Sequence, residues 1–336
     1  MSIQDKLQSS AIVRELPLGP ANSRKSLDVW YSDGSVVLVA ENTAFRVHTS
    51  ILAQNCEIFR DMDAIPKPEV VDDSEEVYEG CPVIRLHDSA TDLEHFLKAI
   101  YNFRYFRPGA KTKFPVVAAI LRLSTKYMAN DLRRQAIDIL STAFPSYFDD
   151  WSDRNSTRLV PHFAGETSAM ITLCHQTGIR VFLPGVYYAA VKRPLSDVLN
   201  DLLSLDLDNT TRQNICAKFV LGREKLRETE IKSVLSFFEP SFNRSGCQNN
   251  NDTAALQSYA GTALVRTADT EPYQDWCMSN PELVGKFINV CQVCCDTIER
   301  HISNAKHDIW EQLPVLFGLP DWETLRAEDE VDEAGE

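Results

Sequence analysis

The residues best suited to chemistry in this 336-residue chain are the cysteines of a C-x-x-C spacing, Cys291 and Cys294. Two thiolates at this spacing can reach one tetrahedral zinc ion from a turn or from the end of a helix. Candidates for the remaining ligands are Cys247, Cys277, His301 and His307. Their spacing matches no standard zinc finger, in which a second pair follows after about a dozen residues or more. The zinc hypothesis takes four thiols as ligands: Cys247, Cys277, Cys291 and Cys294.

Core packing is the second interpretation of the same cysteines. Five residues at helical spacing form one apolar face: Phe287, Cys291, Cys294, Ile298 and Ile302. A buried free cysteine behaves as a small hydrophobic side chain. The nine cysteines are too few for a disulfide scaffold at this length, so we expect reduced thiols. The sequence leaves zinc binding and packing open as alternatives.

Candidate catalytic residues do not form a convincing constellation. His48 lies at a predicted strand-to-helix junction without a partner that would orient it as a base, so we interpret it as a capping or packing residue. Cys174 and His175 are neighbours on a predicted helix and should point about 100° apart, which excludes a dyad. The sequence contains no P-loop, dinucleotide fingerprint, G-x-S-x-G or H-E-x-x-H motif. We therefore predict that the protein is not an enzyme and needs no cofactor beyond the hypothetical structural zinc. An enzyme site within the helical residues 155–326 is the less favoured alternative.

Composition narrows the classes of partner. The net charge of −14 argues against nonspecific attraction to nucleic acid or to anionic membranes. No stretch approaches the roughly 20 apolar residues of a membrane span, and the N-terminal residues lack the apolar core of a secretory signal. We expect a cytoplasmic or nuclear protein that binds neither nucleic acid nor membrane.

The segment from Asp28 to Phe59 predicts three strands followed by two short helices. Val29 to Tyr31 is the first strand, and Asp33-Gly34 predicts a hairpin turn after it because such turns need positive φ. Ser35 to Ala40 is nearly all apolar, which predicts a strand buried on both faces. Glu41-Asn42 predicts a second turn, Phe45 to Val47 a half-buried strand, and the residues after His48 suit helices.

The rest of the first domain is predicted to be an acidic insertion, a strand and three helices. Residues 66–82 combine prolines with acidic residues and predict a solvated loop. Val83 to Leu86 is the fourth strand, and Ser89 or Thr91 caps the next helix, with Thr91 and Glu94 spaced as a capping box. Further helices begin near Pro115 and Asp131. The order predicts an α+β domain over residues 25–145, preceded by a flexible arm over residues 1–24.

Beyond residue 145 the pattern is mainly helical, which predicts a second domain over residues 146–326. The candidate helices are Thr167 to Gln176, Val181 to Val191, Leu195 to Leu205, Asn209 to Phe238 and Glu282 to Leu313. The acidic residues 327–336 lack apolar periodicity and predict a disordered tail.

Both ends of the chain resemble one protein family. The motif V-H-x-x-I-L-A-x-x-C-x-I-F-R-D-M at the predicted strand-to-helix junction is similar to the opening of a BTB/POZ domain. The C-terminal C-x-x-C, followed by a helix and W-x-x-L-P-x-x-F-x-L-P-x-W, looks like the ending of a large fungal (basidiomycete-type) set of BTB proteins. The resemblance implies a BTB/POZ domain, with a short mixed sheet and helical hairpins, followed by a mainly α-helical C-terminal domain.

The resemblance also implies a function in protein–protein interaction. Members associate through the BTB domain as homo- or hetero-oligomers, and some are substrate adaptors that recruit a cullin ubiquitin ligase scaffold. Our candidates for a partner-binding face are Phe59, Met62, Phe96 and Tyr101, whose side chains are of the types that anchor interfaces. Many dimeric members carry a basic residue after the motif histidine, which pairs with an aspartate near the first strand. Here Thr49 follows His48, although Asp28 is present.

Overall fold

A computed structural model of the chain describes residues 20, 23–65, 76–239, 241, 242, 247, 251–258 and 290–330. The chain divides into two compact units, Met1–Ile137 (unit 1) and Asp138–Glu336 (unit 2). The division falls within one helix, a little before the boundary at residue 145 that the sequence indicates. Most of the predicted N-terminal arm and most of the acidic insertion lie outside the described residues.

Unit 1 is a mixed α/β unit, which agrees with the predicted α+β class. Its strands are β1 (Arg24–Trp30), β2 (Val36–Ala40), β3 (Thr43–Val47), β4 (Val77–Tyr78) and β5 (Cys81–Leu86). Its helices are α1 (Thr49–Asn55), α2 (Glu57–Ala64), α3 (Ala90–Tyr101), α4 (Phe114–Tyr127) and α5 (Asn130–Ser141), the last of which continues into unit 2.

The described strands form one five-stranded sheet in the order β1-β3-β2-β5-β4. β2 and β3 form an antiparallel hairpin around Glu41, whose φ of 48° confirms the predicted turn. β1 pairs in parallel with β3 and not with β2, so the hairpin predicted at Asp33-Gly34 is wrong. Glycine is needed at position 34 because β3 passes close to it. A Cβ there would lie 2.9 Å from both Arg46 Cγ and the Val47 carbonyl oxygen.

The burial pattern of the central strands follows the predicted periodicity. Every residue of β2 is buried, as expected for a strand covered on both faces. In β3 the buried Phe45 and Val47 flank the half-buried Arg46, which confirms the predicted alternation. β2 also pairs in parallel with β5, which places this strand at the centre of the sheet.

Two local predictions in unit 1 need correction. The N-cap of α3 is Ser89, whose hydroxyl accepts from the Asp92 N–H, whereas Thr91 lies inside the helix and forms no capping box. The predicted loop over residues 66–82 ends too late, because β4 and the first residues of β5 form an antiparallel pair there. The short loop Glu79–Gly80 joins these strands with both residues at positive φ.

Unit 2 is helical throughout its described part. Its helices are α6 (Phe148–Thr157), α7 (Glu166–Thr177), α8 (Leu183–Val191), α9 (Leu195–Leu203), α10 (Asn209–Ser233), α11 (residues 251–258), α12 (Gln292–Leu316) and α13 (Trp322–Glu330), and a 3-10 helix (Val234–Phe238) follows α10. The predicted disordered tail is helical up to Glu330, and Arg180 forms an ion pair with Glu328 there. None of the helices in the described ranges has the length and apolar character needed to cross a bilayer.

Aromatic side chains form the core of unit 2. Trp310 on α12 stacks on Trp322 with ring centroids 5.6 Å apart, and the Trp322 indole N–H donates to the Trp310 carbonyl at 2.8 Å. Trp151 of α6 packs against Trp310 at 4.9 Å. Leu313 and Phe317 between the two C-terminal tryptophans are fully buried. The C-terminal motif is therefore a packing motif that fixes the end of α12 to its neighbours.

Candidate metal centre

Three thiols and one carboxylate converge at the first turn of α12. Cys291 is the N-cap of this helix, with extended backbone angles, and Cys294 lies three residues further on. Residues at this spacing lie on the same side of the first turn, so the C-x-x-C directs both thiols to one point. Cys247 and Asp252 of α11 complete the cluster, and the four ligand atoms all lie within 4.8 Å of one another. The cluster could hold a metal ion.

The individual distances define a compact set of contacts. The sulfur atoms of Cys247 and Cys291 are 3.7 Å apart. Asp252 Oδ2 accepts from Cys247 Sγ at 3.4 Å and from the Cys291 backbone N–H at 3.1 Å. Cys294 and Asp252 are buried, with 0% and 2% of their surface exposed, whereas Cys247 and Cys291 are half-buried. The cluster therefore has a sealed side and a side open to solvent.

Contacts within the cluster and burial shift the pKa of Asp252, Cys291 and Cys294. Hydrogen bonds, chiefly from Cys291, lower the pKa of Asp252. The same contact raises the pKa of Cys291, and burial raises the pKa of Cys294. A bound cation would have the opposite effect on the cysteines, because thiols lose their protons when they ligate a metal. The positive end of the α12 dipole, at whose start Cys291 lies, also favours the thiolate form.

The ligand set agrees only in part with the one predicted from the sequence. Cys247, Cys291 and Cys294 come together as predicted, whereas Cys277 lies outside the described residues. Asp252 was missed, because a carboxylate five residues after a cysteine has no distinctive spacing. The half-buried Cys295 is not part of the four-residue cluster, and its Sγ contacts the Val290 carbonyl at 3.8 Å.

The two histidines considered as ligands are engaged elsewhere. His301 Nε2 lies 2.8 Å from the Ser236 hydroxyl and 2.9 Å from the Ser233 carbonyl. His307 packs edge-on against the ring of Phe148. The predicted apolar face of α12 is confirmed for Cys294, Ile298 and Ile302, which are buried. Packing and metal ligation are therefore compatible at Cys294.

The motif histidine of unit 1 has a structural environment. The His48 backbone N–H donates to the Tyr101 hydroxyl at 2.7 Å, and the Tyr101 hydroxyl also lies 3.2 Å from Nδ1 of the imidazole. On the other side, His48 Nε2 lies 3.3 Å from the exposed carboxylate of Asp33. These contacts join the β3–α1 junction to the end of α3. Cys174 is buried while its neighbour His175 is exposed, as expected for adjacent helical residues that point apart.

Most of the predicted partner-binding residues belong to the core of unit 1. Phe59 and Phe96 are 4% and 0% exposed, and both stack on Tyr127, so the prediction that they anchor a partner is wrong. Tyr101 is half-buried between His48 and Tyr31. Met62, at 42% exposure, is the one of the four with a largely accessible side chain. The prediction rested on side-chain type, and aromatic side chains are also typical of a core.

Comparison with known proteins adds no relative. No protein-family model matches the chain, and no curated protein is significantly similar to it. The resemblance to BTB/POZ proteins therefore stays a prediction from the sequence motifs.

Proposed function

We propose that this protein is a non-enzymatic protein-interaction module that acts through association of its BTB-like unit 1. The order of elements supports the proposal. A β-hairpin is followed by the helix pair α1 and α2, then by a strand parallel to β2, and then by α3 to α5. This is the order that the resemblance to BTB/POZ domains implies. The mechanism is burial of surface against a protein partner.

An exposed leucine on the edge strand is the observation on which the proposal depends. The pairing of β1 with β3 shifts register between Lys25 and Trp30, so the residues between them form an irregular segment of the strand. In this segment the Ser26 hydroxyl accepts from the Val29 N–H at 3.1 Å. Leu27, in the same segment, is 78% exposed. An edge strand that presents a large apolar side chain can pair with another chain.

Charged and aromatic residues surround this apolar side chain. Asp28, next to Leu27, forms an ion pair with Lys98 of α3, and Lys98 also pairs with Glu94 at 2.6 Å. Many dimeric BTB proteins have a basic residue at the position of Thr49, which pairs with an aspartate near the first strand. In this chain Lys98 is the basic residue that pairs with Asp28. Phe103, after the end of α3, is also 78% exposed. A central apolar residue with a polar rim is the usual composition of an interface.

Light scattering coupled to size-exclusion chromatography tests the proposed association. Across a concentration series, we expect the full chain to have the mass of a dimer and Leu27→Asp to have the mass of a monomer. Leu221→Asp is the matched control, because Leu221 is 62% exposed on α10 of unit 2. A wild-type monomer at all concentrations, or a dimer that Leu27→Asp leaves intact, would contradict self-association through β1.

A substrate adaptor for a cullin-type ubiquitin ligase is the alternative function. Exposed apolar side chains at the end of α2 favour it, since Met62 is 42% and Ile65 is 65% exposed. We expect Met62→Glu to abolish binding to a cullin scaffold, while Val77→Glu, a change at an exposed residue of β4, leaves it unchanged. If the wild-type chain fails to bind any cullin scaffold, the adaptor function is refuted.

We further propose that the metal of the cluster in unit 2 is zinc, in a structural role. Three thiols and a carboxylate provide the four ligands of a closed tetrahedral site, and soft sulfur ligands favour zinc over calcium or magnesium. Zinc–sulfur bonds of about 2.3 Å place two sulfurs about 3.8 Å apart in a tetrahedron. The observed sulfur–sulfur distance of 3.7 Å between Cys247 and Cys291 supports this geometry.

Metal analysis by mass spectrometry tests the zinc site. We expect one zinc ion per chain, lost in Cys291→Ser and Asp252→Asn. Cys295→Ser is the matched control and should retain zinc, because Cys295 lies beside the cluster without belonging to it. Cys277→Ser should also retain zinc. Loss of zinc in Cys277→Ser together with its retention in Asp252→Asn would instead support the four-thiol set predicted from the sequence.

A further inference from the structure

A cavity of about 310 Å³ lies within unit 2, away from the metal cluster. α7, α8 and α10 contribute most of its wall, and Leu319 near the start of α13 contributes the rest. Its size is at the lower end of small-ligand pockets. Leu183, Ile215 and the ring of Tyr187 give it apolar surface.

The hydroxyl of Tyr187 is the first feature of the cavity that could bind a polar ligand group. Tyr187 is 1% exposed, and no hydrogen bond to its hydroxyl is found within the described residues. Tyr187 is one of the residues that line the cavity. Burial raises the pKa of this phenol well above its usual range, so the hydroxyl keeps its proton and can donate. Buried hydroxyls nearly always have a partner.

The polar residues that line the cavity are cationic or neutral. Lys218 of α10 and His175 of α7 both border it, and neither has an ion pair or a hydrogen bond in the described part of the chain. Arg180 also borders it and is paired with Glu328. Among the described residues, no aspartate or glutamate lines the cavity. Lys218 is exposed to solvent, and its positive charge beside the cavity favours an anionic ligand.

We propose that this cavity binds a small organic carboxylate, with its apolar body against Leu183 and Ile215 and its carboxylate between Lys218 and Tyr187. The lysine ammonium and the phenol donate to the carboxylate oxygens, and charge-assisted bonds of this kind are stronger than neutral ones. The site is independent of the association and of the zinc proposed above.

Fluorine NMR titration of the full-length chain tests the site. The probe is 3-(4-fluorophenyl)propionate, and its uncharged amide is the matched ligand control. We expect saturable millimolar binding of the acid, about tenfold tighter than that of the amide, because tenfold corresponds to one modest charge-assisted contact. The acid and the amide share the apolar body, so a difference between them measures the contribution of the carboxylate.

Variants locate the bound probe. Lys218→Met should weaken binding of the acid about tenfold and leave that of the amide unchanged. Lys225→Met is the matched control, since Lys225 is an exposed lysine on the same helix that does not border the cavity. Tyr187→Phe removes only the hydroxyl and should weaken binding of the acid several-fold. If this variant does not fold, the effect of Lys218→Met on binding of the acid is the test of the site. Equal affinities for acid and amide, no effect of Lys218→Met, or no saturation at about 10 mM would overturn the proposal.

Discussion

Zinc should stabilise unit 2 mainly by cross-linking two distant parts of the chain. Cys247 and Cys291 are 44 positions apart, and a metal that holds both closes the segment between them. The chain-entropy relation for a cross-link of this length gives about 4 kcal/mol at 25 °C. The C-x-x-C pair closes only a short loop, so Cys247 and Asp252 are the ligands that make the tether. We therefore expect removal of zinc to lower the free energy of unfolding by about 4 kcal/mol.

Urea unfolding of the full chain measures this loss. Trp151, Trp310 and Trp322 are buried in unit 2, so the tryptophan fluorescence transition reports mainly on that unit. With a urea m-value of about 2–3 kcal/mol/M, treatment with EDTA should lower the midpoint by roughly 1.3–2 M. The comparison needs reducing conditions, because oxidation of Cys247 and Cys291 to a disulfide would close the same loop.

Cysteine variants separate the tether from general packing effects. Cys247→Ser should have the midpoint of the EDTA-treated wild type, and EDTA should change it little further. Cys295→Ser should have the wild-type midpoint and the wild-type response to EDTA. If EDTA leaves the wild-type midpoint unchanged, or if Cys295→Ser and Cys247→Ser lose the same stability, the tether argument is refuted.

Two further predictions concern α10. Gly222→Ala should destabilise the protein, because a Cβ there would lie 2.1 Å from Cδ1 of the buried Phe317. Overpacking of about 3 kcal/mol outweighs the gain of about 1 kcal/mol in helix propensity, so we expect a net loss of about 2 kcal/mol. An unchanged free energy of urea unfolding would contradict the close packing. Asp208 caps the helix by accepting from the Thr211 N–H at 2.9 Å, which lowers its pKa. Its contribution as an anion is present at neutral pH and lost as the pH falls below about 4. The stability difference between wild type and Asp208→Asn, measured by urea unfolding, should therefore shrink on acidification, and a difference that grows would contradict this.

The sequence predicted those parts of the fold that depend on local periodicity. The buried strand β2 and the turn at Glu41 follow from an apolar run and from a short polar pair between two strands. The Asp33-Gly34 hairpin was wrong because strand pairing is not local: β3, further along the chain, takes the edge that β1 would have needed on β2. Gly34 is required for the close approach of β3 and not for a hairpin turn.

The candidate metal site was only partly accessible from the sequence for the same reason. The C-x-x-C of Cys291 and Cys294 is a local signal, whereas Cys247 and Asp252 reach it through the packing of α11 against the start of α12. Sequence spacing cannot rank Asp252 above Cys277, because no rule relates either residue to the pair. Phe59 and Phe96 illustrate the opposite error, since aromatic residues at helical spacing are equally expected in a core and at an interface.

The two ends of α12 depend on different interactions, which makes the role of zinc separable from the rest of the fold. The metal cluster lies at the first turn, around Cys291 and Cys294, whereas Trp310 and Leu313 near the other end are buried among aromatic rings. Loss of zinc would release the ligand side chains at the first turn and would leave the aromatic contacts in place. The proposed self-association depends on Leu27 in unit 1, and no residue of that unit is part of the cluster. A zinc-free protein that still forms dimers would therefore be consistent with both proposals, because the zinc proposal concerns the stability of unit 2 and the association proposal concerns a surface of unit 1.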